Sequence, residues 1–226
     1  MRTPASLIAS SALSFSFAAT PLFGQEALPR TGSDEWSLNL LVVGSQRYAF
    51  EGGAAARNDG GVGIGASIAR NLNNHFALGA EVTFSRFDYR ASVAPGAGNV
   101  GTGYDVDGNM EMLALRLHAT WYLLSGSVTP FVTAGAGVNF LEPEFTSNPP
   151  ANACWVYPWY GQVCSAVAPQ TTLTRLAYSA GTGLRVDLPQ NLGFIRLLFG
   201  GEWIEFSEAS SPVGYVQLRA DFGVRF

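Results

Sequence analysis

Two cysteines, Cys154 and Cys164, stand close together in a polar, Pro-rich segment, and the chain has no other thiol. Paired thiols either bind a metal or cross-link. A structural zinc site takes four nitrogen or sulfur ligands at motif spacing, and no His, Asp or Glu lies between these two or just beside them. The pair therefore reads as one disulfide closing a local loop, which implies an oxidising, exported setting. The same segment carries Trp155, Tyr157, Trp159 and Tyr160, with Pro149, Pro150 and Pro158 stiffening it. Rigid exposed aromatics are what contact surfaces use, so the loop is a candidate site for an external ligand. The competing reading folds it over its own support with the aromatics packed inward.

Other candidate chemistry is sparser. Catalysis by either histidine would need a nucleophile and an orienting acid within hydrogen-bond reach. His75 reads as a solvated turn residue and His118 as a structural one beside Arg116 and Thr120. Asp105-Val-Asp107-Gly-Asn109-Met-Glu111 begins like a calcium loop, but Met110 and Arg116 occupy the places that need Gly and Glu. It reads as a polar loop entering a strand. Gly61-Val-Gly63-Ile-Gly65 has no helix after it and is no nucleotide fingerprint. No cofactor, no metal and no enzymatic activity are expected. The net charge of −4, without a run of Lys or Arg, argues against a nucleic-acid partner.

The elements that would position these groups are strands. Arg2 followed by the small and apolar stretch Leu7 to Ala19 reads as a secretory signal, with cleavage expected after Gly24. A membrane anchor is the alternative, but the serines and Pro21 interrupt the apolar length that a spanning helix needs. The remainder, residues 25–226, reads as one domain. In it apolar residues recur at every second position, the period of a strand with one face in apolar surroundings. Eight such segments follow: 36–48, 62–72, 76–89, 109–123, 130–141, 173–188, 192–206 and 213–226.

The two faces differ in kind. One is almost uncharged; the other carries small residues and ions of both signs, namely Glu81, Arg116, Arg175, Arg185, Asp187, Arg196, Glu202, Arg219, Asp221 and Arg225. Lipid outside and a narrow polar lumen inside fit that split, with the lumen charges paired. Connections alternate between long and short, as in bacterial outer-membrane barrels with short periplasmic turns and long extracellular loops. Ala49 to Gly61, Arg90 to Gly108, Glu142 to Thr172 and Ser207 to Pro212 are the expected outer loops, and both termini fall in the periplasm. Aromatics near the strand ends read as girdles at the two interfaces: Trp36, Phe76, Trp121 and Tyr122 inside, and Tyr48, Tyr89, Phe140, Trp203 and Tyr215 outside.

Two stretches carry a likeness to known families: Thr129-Pro-Phe-Val-Thr-Ala-Gly-Ala-Gly-Val-Asn-Phe140 and the terminal Phe222-Gly-Val-Arg-Phe226. With the layout, they resemble the small outer-membrane β-barrel families of the OmpA barrel, the Opa-type surface proteins and OmpW. The resemblance implies an eight-stranded up-and-down transmembrane barrel surrounded by outer-membrane lipid. It also implies that Phe222, Val224 and Phe226 form the signal read by the barrel-assembly machinery. A structural or surface-interaction role is expected first and a narrow pore for ions or small solutes second. A lipid-modifying enzyme comes third; in that class the deacylase family has a His-x-Ser pair where this chain has His118-Ala-Thr120.

Overall fold

The computed structural model describes residues 29–49, 55–93, 104–145, 155–157, 161–163, 172–188, 193–206 and 212–226. Its elements are β1 (Asp34–Val43), β2 (Gln46–Ala49), β3 (Ala55–Asn71), β4 (Phe76–Val93), β5 (Tyr104–Tyr122) and β6 (Val128–Phe145), then β7 (Trp155–Tyr157), β8 (Gly161–Val163), β9 (Leu173–Asp187), β10 (Gly193–Ile204) and β11 (Val213–Arg225). Each long strand pairs antiparallel with its neighbours, and β1 pairs with β11 on one side and β3 on the other, so the sheet closes on itself. The result is the expected eight-stranded antiparallel barrel. β2 prolongs the first strand as one short extra strand, and β7–β8 form a separate hairpin.

Alternation sets which face meets which medium. On β5, Leu113, Leu115, Leu117 and Trp121 point outward, with Leu117 70% exposed, while Met112, Ala114, Arg116, His118 and Thr120 point inward and are buried. The other strands of the wall repeat this, which leaves an apolar belt around the exterior, with Thr182 on β9 a polar residue within it. From Leu113 to Trp121 the belt runs roughly 27 Å along the strand, or about 20 Å across the barrel wall at a tilt of about 40°. That height is close to the apolar band of a transmembrane barrel.

Several strands run well beyond their expected ends. β3 starts at Ala55, β4 reaches Val93, β5 starts at Tyr104 and β6 reaches Phe145, so much of the expected loops Ala49–Gly61 and Arg90–Gly108 is sheet. Outward residues there are charged, as in Arg57, Arg90, Asp107 and Glu142, and a search for outward apolar residues ends where the belt does. The polar run at Asp105–Glu111 belongs to β5 rather than to a loop; its Asp107 pairs with Arg90 at 2.7 Å and its Glu111 with Arg86 at 3.5 Å.

The first strand is not continuous over 36–48. It breaks at Gly44 and Ser45, where the Gly44 amide makes a last bond to the Val216 carbonyl at 2.8 Å. Directly across, β3 carries a bulge between Asn58 and Gly61. Gly60 adopts φ +95° there, and its amide donates to Asn58 Oδ1 at 2.8 Å. A Cβ at Gly60 would be strained in this left-handed conformation and would stand 3.1 Å from the Val43 carbonyl. Break and bulge face each other, and beyond them β2 pairs with the start of β3 while its Tyr48 packs against the inner apolar cluster.

Candidate functional site: the filled lumen

Side chains fill the lumen in layers. At the end that carries the short turns, Arg30 reaches in from the segment before β1. Its guanidinium meets Asp187 at 3.0 Å, donates to the Gly126 carbonyl at 2.8 Å and to Thr129 at 3.1 Å, and lies over the Tyr122 ring at 4.7 Å. Arg185 binds Asp187 and Glu35, each at 2.8 Å, donates to the Tyr122 hydroxyl at 3.0 Å and covers Phe194 at 4.1 Å. Asn71 donates to Glu35 at 2.8 Å. Two guanidinium groups thus balance two carboxylates, which suits a site where an unpaired charge would cost several kcal/mol.

A second cluster occupies the middle. Glu81 receives Arg116 at 2.7 Å and Arg219 at 2.6 Å. Arg116 also binds Glu202, which accepts from Asn139 at 2.6 Å. Arg219 continues to Asp221 at 2.8 Å, and Asp221 to Arg196 at 3.0 Å. Arg196 donates to the Ser37 hydroxyl at 3.2 Å, and Ser37 shares a hydrogen bond with Ser67 at 2.7 Å. Three carboxylates again meet three guanidinium groups. His118 stands beside them, its Nδ1 3.8 Å from Glu81.

Glycines make room for these large groups. A Cβ at Gly79 would stand 2.6 Å from His118 Nε2, and one at Gly183 would be 2.6 Å from the Phe131 ring. The strand glycines at 63, 65, 79, 135, 137, 181, 183 and 223 are therefore packing positions against neighbouring strands or lumen side chains.

Toward the other end the lumen changes character. Leu41, Val43, Phe87, Tyr89, Met110, Met112, Leu141, Ile204, Phe206, Val213 and Tyr215 are buried against one another, with Tyr48 and Leu173 packed alongside. This corrects two expectations. The inner face is not polar throughout, and Tyr48, Tyr89, Tyr122 and Tyr215 are lumen groups rather than girdle residues: Tyr122 is fully buried, and Tyr89 and Tyr215 are 2% and 4% exposed. A Tyr at an inward register position faces the core whatever its height. Trp36 and Trp121 do face outward, as does Trp203, which stacks on Tyr178.

Of the sequence-selected lumen ions, the middle cluster brings together Glu81, Arg116, Arg196, Glu202, Arg219 and Asp221, and the turn-end cluster joins Arg185 and Asp187. Arg225 is buried near the end of β11. Arg175 lies toward the opposite end of β9, its guanidinium 5.5 Å above the Phe206 ring. Sequence reasoning missed Arg30, because it precedes the first strand, and Glu35, because it opens one. An inward alternation extended back from Ser37 reaches Glu35, whereas Arg30 is out of phase with it and enters the lumen from before the turn that precedes β1. Phe222, Val224 and Phe226 all face outward on or beside β11. Trp155 and Tyr157 belong to β7, whereas Cys154, Trp159, Tyr160 and Cys164 lie outside the described residues. His75 sits in the turn before β4, its Nδ1 2.8 Å from the Tyr122 carbonyl.

No protein-family model matches the sequence, and no curated protein does. Solved structures do match. Neisserial surface protein A aligns with a TM-score of 0.51 at 12% identity, over 85% of this chain and 97% of that one. Ail, the attachment invasion locus protein of Yersinia pestis, gives 0.48 at 12% identity over 87% and 99%. OprG from Pseudomonas aeruginosa gives 0.48 at 12% identity over 87% and 96%. With its closed antiparallel wall and outward apolar belt, the chain has the fold of the small eight-stranded outer-membrane β-barrels.

Proposed function

We propose that the chain is an integral protein of the bacterial outer membrane, a closed barrel with a structural or surface-interaction role. One observation carries this reading: the lumen is occupied along its length by two charge-balanced clusters and an apolar plug. A pore would need both kinds of packing to give way, and His118 is enclosed by the wall rather than presented to lipid. In this reading residues 1–24 are a signal peptide, the termini and short turns face the periplasm, and the long connections face outward. The barrel-assembly machinery reads Phe222, Val224 and Phe226.

The loop between β6 and β9 is the proposed contact surface, through Trp155, Tyr157, Trp159 and Tyr160. Within that loop β7 and β8 pair as a hairpin, Trp155 opposite Val163. The proposal includes a Cys154–Cys164 bond, drawn from the short spacing of the two thiols in an exported chain, which would stabilise the loop by about 2–3 kcal/mol in the chain-entropy model.

The deciding experiment is ion conductance of the refolded barrel in planar bilayers, with heat-dependent gel mobility reporting the fold. A folded, silent barrel is expected; discrete reproducible channels would replace this reading with the pore.

A further inference from the structure

An apolar groove of about 740 Å³ lies on the outer face at the turn end, across β11, β1, β3, β4 and β5. The register explains its shape. One outward rung runs Val224–Trp36–Ile68–Ala80–Leu117, in which each residue directly faces the next on the adjacent strand. Ala80 is the dip in that rung, with the larger Ile68 and Leu117 on either side. The rung nearer the turn end places Asp34 opposite Arg70 and Arg70 opposite Leu78. Asp34 and Arg70 are the exposed charged groups at the groove's rim; Glu35 also lines it, but its buried carboxylate is held in the lumen by Arg185 and Asn71. They pair at a stretched 3.4 Å with side chains 44% and 63% exposed, so the pair is worth little by itself and opens readily to a competing ion.

We infer that this groove is a binding site for a zwitterionic phospholipid carrying a primary ammonium, of the phosphatidylethanolamine class. An acyl chain lies over Ala80 between Ile68 and Leu117. The phosphate accepts from the Arg70 guanidinium, and the lipid ammonium donates to the Asp34 carboxylate, so the headgroup enters the stretched pair and satisfies both ions. A choline headgroup offers no N–H to Asp34, and a glycerol headgroup offers no cation. The inference rests on the outer-membrane reading above, because the groove must face lipid.

The test is native mass spectrometry of the folded full chain, released from non-ionic detergent after incubation with palmitoyl-oleoyl phosphatidylethanolamine, phosphatidylcholine or phosphatidylglycerol. The ethanolamine lipid should bind about tenfold more tightly than either of the others, the gain expected from one added charge-assisted hydrogen bond. Ala80→Phe, which fills the dip, and the double change Asp34→Asn with Arg70→Gln should each remove that preference. Ala134→Phe, at an outward alanine on β6 away from the groove, should keep it. Equal retention of the three lipids by the unaltered chain, or full retention by Ala80→Phe, would overturn the site. So would a lipid-free mass of two chains, which would mean that a second copy covers the groove. Heat-dependent gel mobility is read on the same samples: a chain that never folds in lipid or detergent fails the membrane reading first, and the site with it.

Discussion

The inner face of β4 changes chemistry along its length. From the turn end it presents Ala77, Gly79, Glu81, Thr83 and Ser85, and then Phe87, Tyr89 and Ala91, all inward. β10 places Arg196 and Glu202 inward among Phe194 and Leu198, and then Ile204, with Phe206 just beyond the strand, in the apolar part. One wall thus encloses two interiors. In the first, guanidinium and carboxylate groups hold one another by directional bonds, and each ion depends on a named partner. In the second, burial is non-directional, and a neighbour can shift without leaving a charge alone. The difference teaches that a narrow barrel can be closed in two ways, and that the two should fail differently.

The largest effect should come from removing a shared anion. Glu81→Ala leaves Arg116 and Arg219 buried without the carboxylate that joins them, which should cost about 3–5 kcal/mol, measured by urea unfolding of the barrel in lipid vesicles. A change below about 1 kcal/mol would mean that water already serves these ions. In the apolar half, Met112→Ala removes a side chain that is 1% exposed and should cost about 2–3 kcal/mol through its cavity.

The contrast sharpens if conductance is read on both variants. Each should stay silent, because each leaves the other closure standing. Combining Glu81→Ala with Met112→Ala should be the first change to admit ions, and channels from either single variant would show that its half alone held the lumen shut. Smaller effects test the fit between wall and contents. Gly79→Ala drives a methyl toward His118 and should cost about 1–3 kcal/mol. Gly60→Ala, at φ +95°, should cost about 1–2 kcal/mol and should perturb the β2–β3 arm while sparing the belt, as seen by hydrogen exchange.

The barrel was legible because the medium writes itself into the period. A residue such as Leu115 or Leu117 faces out, Arg116 between them faces in, and a two-residue repeat assigns each without knowledge of any partner. Inward ions on strands could be found the same way, and so could the outward Phe222, Val224 and Phe226. What the period could not reveal was where the outward face stops being apolar, so β3, β4, β5 and β6 were expected to end too soon. Nor could it separate an inward tyrosine at a strand end from an interfacial one.

By itself the amino-acid sequence determined the strand count, the closed antiparallel layout and the side of the wall on which each alternating residue falls, because these follow from local backbone geometry and the contrast between lipid and core. Only the tertiary structure decided that Arg30 enters the lumen from before β1 to meet Asp187, that Glu81 bridges Arg116 and Arg219, and that Phe87, Met112 and Tyr215 pack as one plug. Glu81 and Arg116 face each other on consecutive strands, but Arg30–Asp187, Glu81–Arg219 and Met112–Tyr215 join residues far apart in the chain, and such partners are set by register and by height around a closed wall, quantities that exist only once the first strand has met the last.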